Sequence, residues 1–322
     1  MTHPLTRRTL LKASAAAPLV LAAAGAREAR AMTYKATLKK AMIRGKPTEE
    51  MLAGLKACGF DGIETRASDV SPAEAEACRK VAEKTGMTIH SVMRGWMHFN
   101  GTPEQVDATI KKTETSLRAA RGFGAGAVLV VPCRIKGMAM PQPWEFDIAF
   151  DEKTGHLKRV VQGDNAPYAD YIKAHDHATD ASREALKRLI PVAEECGVVI
   201  GIENVWNNLW VKPAVFKRFI ASVGSKWVQA YFDIGNHVKY APPTEWIRTL
   251  GSLIVRCHVK DFQLKPDGHG GKFVNIRDGS VDWPAVRKAL EDVGYSGWMT
   301  IETSKCSDEE HSRRLDLIFA GT

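Results

Sequence analysis

The sequence predicts a single (β/α)8 barrel, and three observations carry that prediction. Past residue 31, short apolar runs alternate with helical stretches eight times; capping residues stand at the ends of those stretches; and each of the last four runs closes on one Asp, Glu or His. Strands that alternate with helices form a parallel sheet covered on both faces, so each strand reads as a near-continuous apolar stretch. Eight such units close into a barrel.

The units follow in order. KATLKKAMI (35–43) leads to TEEMLAGLKACGF (48–60), DGIET (61–65) to SPAEAEACRKVAEKTG (71–86), and MTIHSVM (87–93) to TPEQVDATIKKTETSLRAARGFG (102–124). AVLVVPCRI (127–135) leads, after a long insertion at 134–178, to ATDASREALKRLIPVAEECG (178–197). VVIGIEN (198–204) precedes KPAVFKRFIASVG (212–224), WVQAYFDIGN (227–236) precedes PPTEWIRTLG (242–251), IVRCHVKDF (254–262) precedes WPAVRKALEDVGYSG (283–297), and WMTIET (298–303) precedes DEEHSRRLDLIF (308–319). Thr48, Ser71 and Thr102 sit where helices need a side-chain acceptor for their first free amides. Gly59, Gly86, Gly197, Gly224 and Gly294 fall where helices stop. Inside the insertion, WEFDIAFDEKTGHLKRVV (144–161) reads as a hairpin turned at Glu152-Lys153-Thr154-Gly155. A second insertion, KPDGHGGKFVNIRDG (265–279), follows the seventh strand. Insertions on this side of a barrel cover the active site or make a contact between subunits of a homo-oligomer.

The strand ends carry the chemistry. Glu203, Asp233, His258 and Glu302 close strands five to eight, on the face where such barrels build their sites. A buried carboxylate or imidazole is costly unless something pairs with it, and four converging on one point can share a divalent cation. Three hard carboxylates with one imidazole suit Mn first, with Mg, Co or Zn also compatible, and the absence of cysteine from the set argues against a structural zinc site. Lys260, two residues beyond His258, is expected on the same side of its strand, either holding substrate oxygens or pairing with Asp261 or Glu302. Arg94, Trp96 and His98 alternate at the mouth of strand three; Trp96 and Trp206 are placed to stack on a sugar ring or to wall the pocket. Glu64 closes strand two as a buried hydrogen-bonding group, and His175, Asp176 and His177 read as a solvated loop before a helix.

Composition narrows the class. The 322 residues are 44% hydrophobic and 25% charged, enough for one large core. The formal net charge is +8, but the first 31 residues hold Arg7, Arg8, Lys12, Arg27 and Arg30 against Glu28 alone, which is half of it; the remainder needs no nucleic acid partner. That segment reads as an export peptide: TRRTLLK, then an uncharged Ala-rich run, then Ala29-Arg30-Ala31 as a small-x-small cleavage pattern, too short for a stable membrane anchor. Its twin arginines resemble a twin-arginine signal, which implies a periplasmic or secreted protein exported folded. The six cysteines show no CxxC spacing and lie mostly in apolar helix or strand patterns that suit buried thiols, so no disulfide is assigned.

The chain from 33 to 322 resembles the xylose isomerase-like barrel superfamily, in its sugar phosphate isomerase/epimerase group, which includes hydroxypyruvate isomerase and ketose 3-epimerases. GFDGIE (59–64), GVVIGIENVWN (197–207), FDIGN (232–236), HVKDF (258–262), GSVDWPAVRKAL (279–290) and GWMTIET (297–303) carry the resemblance, in order and at barrel spacing. It implies one divalent metal on the residues matching Glu203, Asp233, His258 and Glu302, with the two glutamates also moving a proton. A metal bridging two oxygens of a hydroxy-ketone acidifies the C–H between them and stabilises a cis-enediolate, while a carboxylate on each face removes and returns the proton. Two departures stand out: Asn236 holds the place of the histidine that epimerases of this group carry after the metal aspartate, with His237 one further on as the substitute substrate contact, and Leu209 and Leu264 stand where ketose-binding Glu and Arg are expected.

Four functions follow for comparison. The first is a metal-dependent sugar isomerase or epimerase; the second is a lyase that eliminates the leaving group of a keto-glycoside. A phosphodiester-cleaving nuclease of the same superfamily needs three metals and more strand-end ligands than this chain offers. A non-catalytic sugar-binding barrel would have no use for intact Glu203 and Glu302.

Overall fold

The computed structural model describes residues 34–302 and 306–322. The export segment expected at 1–31 lies outside the described residues. Eight parallel strands close a barrel: β1 (Leu38–Arg44), β2 (Gly62–Thr65), β3 (Thr88–Trp96), β4 (Ala127–Val131), β7 (Val199–Glu203), β8 (Val228–Asp233), β9 (Ile254–Val259) and β12 (Gly297–Ile301), with β12 hydrogen-bonded back to β1. Eight helices cover it: α1 (Glu49–Ala57), α2 (Pro72–Lys84), α3 (Pro103–Phe123), α4 (Ala169–Cys196), α5 (Pro213–Val223), α6 (Pro243–Leu250), α7 (Trp283–Asp292) and α8 (Asp308–Ala320). Two hairpins stand outside the barrel, β5 (Ala149–Phe150) with β6 (Leu157–Arg159) and β10 (Asp261–Leu264) with β11 (Gly271–Val274), one in each expected insertion.

Local chemistry explains the boundaries. Thr48, Ser71 and Thr102 cap α1, α2 and α3 through their hydroxyls, the last two in full capping boxes with Glu74 and Gln105. Gly59, Gly86, Gly197, Gly224 and Gly294 all take positive φ at the stops the sequence marked for them.

The core lies between strands and helices. Ile63, Val92, Val128, Ile200, Ile202, Phe232 and Val259 point outward from the barrel into one continuous apolar layer with the helices. A smaller apolar group of Leu129, Val131 and Tyr231, with Met93 and Val205 against it, is separate from that layer. Among the described residues no helix is long and apolar enough to cross a membrane, and the six cysteines are all unpaired.

One boundary differs from the sequence reading. The segment expected as insertion to residue 178 ends earlier, because α4 begins at Ala169 and includes His175, Asp176 and His177. Its first turns are anchored by Tyr171, His175, Ala178, Thr179 and Ser182, a buried stripe at helical spacing made largely of polar residue types, so hydrophobic periodicity does not reveal it. His175 is a packing residue rather than a loop residue. Its Nε2 accepts the Trp210 amide at 3.2 Å, and the Trp210 indole donates to Thr179 at 3.0 Å. This ties α4 to the loop after β7, where Asn208 and Trp210 hold positive φ.

Candidate metal centre

Four parallel strands deliver the four predicted side chains to one point. Glu203 ends β7 and Asp233 ends β8, His258 is the next-to-last residue of β9, and Glu302 follows β12 directly. Each offers one ligand atom, and these atoms all lie within 4.8 Å of one another. His258 Nδ1 stands 3.2 Å from Glu203 Oε1, 3.0 Å from Glu302 Oε2 and 4.0 Å from Asp233 Oδ2. Asp233 and His258 are fully buried, Glu203 nearly so, and Glu302 is the most open, its side chain 27% accessible.

The motif residues around them fix this geometry. Asn204 clamps two strand ends: its amide donates to the Asp233 carbonyl at 2.8 Å and its carbonyl oxygen accepts the Asp233 amide at 2.6 Å. Asp233 Oδ1 accepts the amides of Gly235 and Asn236 at 2.8 and 2.6 Å, which turns Oδ2 toward the cluster. Gly235 is required because the chain passes against β9: a Cβ there would lie 2.6 Å from the Lys260 carbonyl oxygen and 2.9 Å from its Cβ. Gly235→Ala is therefore expected to cost about 1–3 kcal/mol by overpacking and to move Lys260; thermal melting beside wild type is the check.

Lys260 points into the cluster. Its Nζ is 2.8 Å from Glu302 Oε2 and 3.3 Å from Asp233 Oδ2, and it donates to Asn236 Oδ1 at 3.1 Å. Asp261 turns the other way, its buried carboxylate accepting amides from Phe262, Arg277, Gly279 and Val281 and the Trp283 indole, so it shapes the second insertion rather than pairing with Lys260.

Burial and neighbours push the carboxylates apart. Burial raises Glu203 to about 7 against the pull of His258. Asp233 is also raised by burial, with Lys260 opposing. Glu302 goes the other way: burial would raise it, yet the His258 imidazole and the Lys260 ammonium hold it below the usual carboxylate range. Burial would lower His258, but Glu64 and the other carboxylates around it hold it well above its ordinary value, and Asp233, Glu302 and Glu203 do the same for Lys260 against its own burial.

The residues present fit a divalent cation. Asp233 Oδ2 and Glu302 Oε2 share the Lys260 ammonium, at 3.3 and 2.8 Å, and both face the space beside His258 Nδ1, at 4.0 and 3.0 Å. Hard oxygen donors and one imidazole, converging with more carboxylates than cationic groups among them, are the ligand types a divalent cation takes.

The outer candidates divide. Trp206 is half-buried at the rim, donating its indole N–H to the Asn236 carbonyl, with the Lys239 ammonium 3.5 Å above its ring and Phe262 and Phe273 beside it. Trp96 is 43% exposed with the Arg134 guanidinium over its ring, and a bulge between Met93 and Gly95 breaks the simple alternation expected of Arg94, Trp96 and His98. Arg94 has a buried Nε with no hydrogen-bond partner. Leu209 is buried in the core and Leu264 half-buried on β10.

His237, expected to touch substrate, is instead packed into the protein: it is 1% exposed, its Nε2 hydrogen-bonds to the Val205 carbonyl at 2.9 Å, and its ring lies against Tyr240 and Trp246. Burial lowers its pKa to about 3. The folded chain thus resists a proton that the unfolded chain accepts near 6.5, so His237 costs nothing above that pH and subtracts stability as pH falls from 6.5 toward about 3. Between pH 7 and pH 5 its share is about 2 kcal/mol, at roughly 1.4 kcal/mol per unit. Denaturant titrations at the two pH values, repeated on His237→Gln, should show a smaller acid loss in the variant.

The xylose isomerase-like TIM barrel model matches residues 52–317. The chain belongs to that family. Its sequence is 28% identical over 204 residues to the D-psicose 3-epimerase of Ruminiclostridium cellulolyticum, a match covering 57% of this chain and 66% of the relative. The chain spans between about half and two thirds of the curated relatives it first matches. Among solved structures, the 3-keto-D-glucoside 4-epimerase of E. coli superposes with a TM-score of 0.63 at 17% identity, covering 88% of this chain and 99% of that one. The IOLI protein with a bound zinc atom gives 0.64 at 16% identity, covering 87% and 96%. At these identities the structural likeness establishes the shared fold.

Proposed function

We propose that this xylose isomerase-like barrel is a metal-dependent isomerase or epimerase of a sugar or keto-sugar, with Glu203 and Glu302 as the proton-transferring pair. The observation that carries the reading is the convergence of the Glu203, Asp233, His258 and Glu302 ligand atoms within 4.8 Å of one another at the carboxyl ends of four strands. A divalent ion, Mn foremost, held by these four residues would supply Lewis-acid polarisation of a carbonyl, which acidifies the neighbouring C–H. Glu203 and Glu302 come from β7 and β12, which are not neighbours in the barrel, so they approach the cluster from different sides and can exchange a proton with opposite faces of a carbon lying there. Asp233, whose Oδ1 is saturated by two backbone amides, is a ligand only, and His258 likewise. Lys260 places an ammonium where a substrate oxygen would carry developing charge. Trp206, Trp96 and Arg94 remain the rim groups for the rest of the sugar.

Relatives that act on D-psicose and on a 3-keto-D-glucoside support a ketose or keto-glycoside as substrate class. The changed contacts at Asn236, Leu209 and Leu264 favour a substrate other than a plain free ketose. Export to the periplasm, proposed from the amino-terminal segment, agrees with a glycoside from outside the cell. The test is deuterium uptake from solvent beside the carbonyl across ketoses and keto-glycosides, with the purified protein loaded with Mn. Exchange with retention of the glycosidic bond supports the reading; release of the aglycone turns it to a lyase; no exchange with any substrate overturns both.

A further inference from the structure

Glu64, the next-to-last residue of β2, carries a fully buried carboxylate to the cluster from outside the quartet. Its Oε2 lies 2.6 Å from His258 Nε2, and its Oε1 accepts the Ser91 hydroxyl at 2.9 Å from the adjacent strand β3. Glu64 and His258 are both without solvent exposure, and the Tyr231 ring packs tilted against the imidazole at 4.7 Å between centroids. A carboxylate this deep is too costly to keep unless its partners are fixed. Here they are an imidazole N–H and one hydroxyl.

We infer that Glu64, held by Ser91, is the positioning residue that sets the tautomer and the direction of His258, so that Nδ1 presents its lone pair to the cation site. The assignment rests on the metal reading of the quartet given above. An ionised carboxylate only accepts, so the hydrogen it receives stands on Nε2. A cation entering the cluster would therefore displace the proton on Nδ1, the nitrogen that faces Glu203, Asp233 and Glu302, while Nε2–H stays on Glu64. Ser91 decides which carboxylate oxygen meets the ring, and Tyr231 blocks rotation of the ring on the side it covers. Glu64 meets the Nε2 side of the ring while the quartet meets Nδ1, so Glu64 would not itself hold the ion. A ligating histidine backed by a carboxylate through its other nitrogen is a more basic and better aimed ligand, and loss of that backing weakens metal binding by about 10–100-fold. The amide of Glu64→Gln keeps the shape but can donate to Nε2, which favours the wrong tautomer.

The experiment is calorimetric titration of the metal-stripped full chain with Mn(II), for wild type, Glu64→Gln and Ser91→Ala, together with nitrogen-15 shifts of the His258 ring in the Zn(II)-loaded proteins. The expected result is one Mn(II) per wild-type chain, about 10–100-fold weaker binding by Glu64→Gln, and about fivefold weaker binding by Ser91→Ala, which removes one neutral hydrogen bond and serves as the milder variant should Glu64→Gln not fold. The ring shifts should report Nε2–H with Nδ1 bound to metal in wild type and a disturbed pattern in Glu64→Gln, a change that a role in packing alone would not produce. Equal affinity and equal ring shifts in wild type and variants overturn the Glu64 assignment while leaving the quartet standing. Failure of the wild-type protein to bind any divalent cation overturns the quartet reading and this one with it.

Discussion

Glu203→Gln and Glu302→Gln are each expected to lower turnover by about 10²–10⁴-fold while the chain stays folded. The glutamine keeps an oxygen donor for the cation but has no proton to exchange, so the loss should fall on kcat more than on KM. The two variants should nevertheless differ in what else they disturb. Glu203 is nearly closed off and raised to about 7 by burial, so its replacement removes a group that is costly to ionise. Glu302 is held ionised by His258 and Lys260, so its replacement leaves those two cations facing a neutral amide. Glu302→Gln should therefore be the less stable of the pair in thermal melting. Solvent-deuterium exchange separates the roles further: a variant that still exchanges the substrate hydrogen but no longer forms product has lost only the second transfer. If both variants turn over substrate like wild type, proton transfer by these glutamates is wrong.

The strand ends were legible because a parallel barrel strand leaves few reasons for a charged residue. In VVIGIEN, WVQAYFDIGN, IVRCHVKDF and WMTIET the apolar run is the strand and the first acid or histidine is its carboxyl end, so fold and cluster come from the same pattern. The helix caps were equally readable, since Ser71 and Thr102 with Glu74 and Gln105 obey a local rule that tertiary structure has no reason to override.

What escaped is what depends on contacts distant in sequence. Glu64 reads as a buried hydrogen-bonding group and is one, but only the fold names its partner, a histidine 194 residues further along at 2.6 Å. His237 was drawn toward the substrate because it lies near FDIGN, whereas the chain turns it into Tyr240 and Trp246 and leaves Asn236 beside the cluster. The early start of α4 was hidden because the groups that bury its first turns, Tyr171, His175 and Thr179, are polar types made compatible with burial by partners after β7. The signal available for that stretch was spacing alone, with no apolar contrast to mark it.

Metal removal is the second large effect, and its sign follows from the charges. Three buried carboxylates, Glu64, Glu203 and Asp233, and the half-buried Glu302 share two cationic partners, the His258 imidazole and the Lys260 ammonium. A divalent cation held by Glu203, Asp233, His258 and Glu302 would offset that excess. An ion bound by the folded chain alone stabilises it by mass action, about 2.7 kcal/mol at a hundred times its dissociation constant. For a domain of this size, at about 2.1 cal/mol/K of unfolding entropy per residue, that is a rise in melting temperature of about 4–5 °C, which a chelator should reverse. Asp233→Asn tests the source of the effect. It removes a raised, buried charge, so the metal-free variant should melt close to metal-free wild type, yet it should gain little from added Mn because an amide oxygen is a poorer ligand than a carboxylate oxygen. A full metal-dependent rise in Asp233→Asn would mean that the stabilising ion sits elsewhere. No rise in wild type would remove the cation from the site and leave Lys260 as the sole counter-charge to Asp233 and Glu302 besides the imidazole.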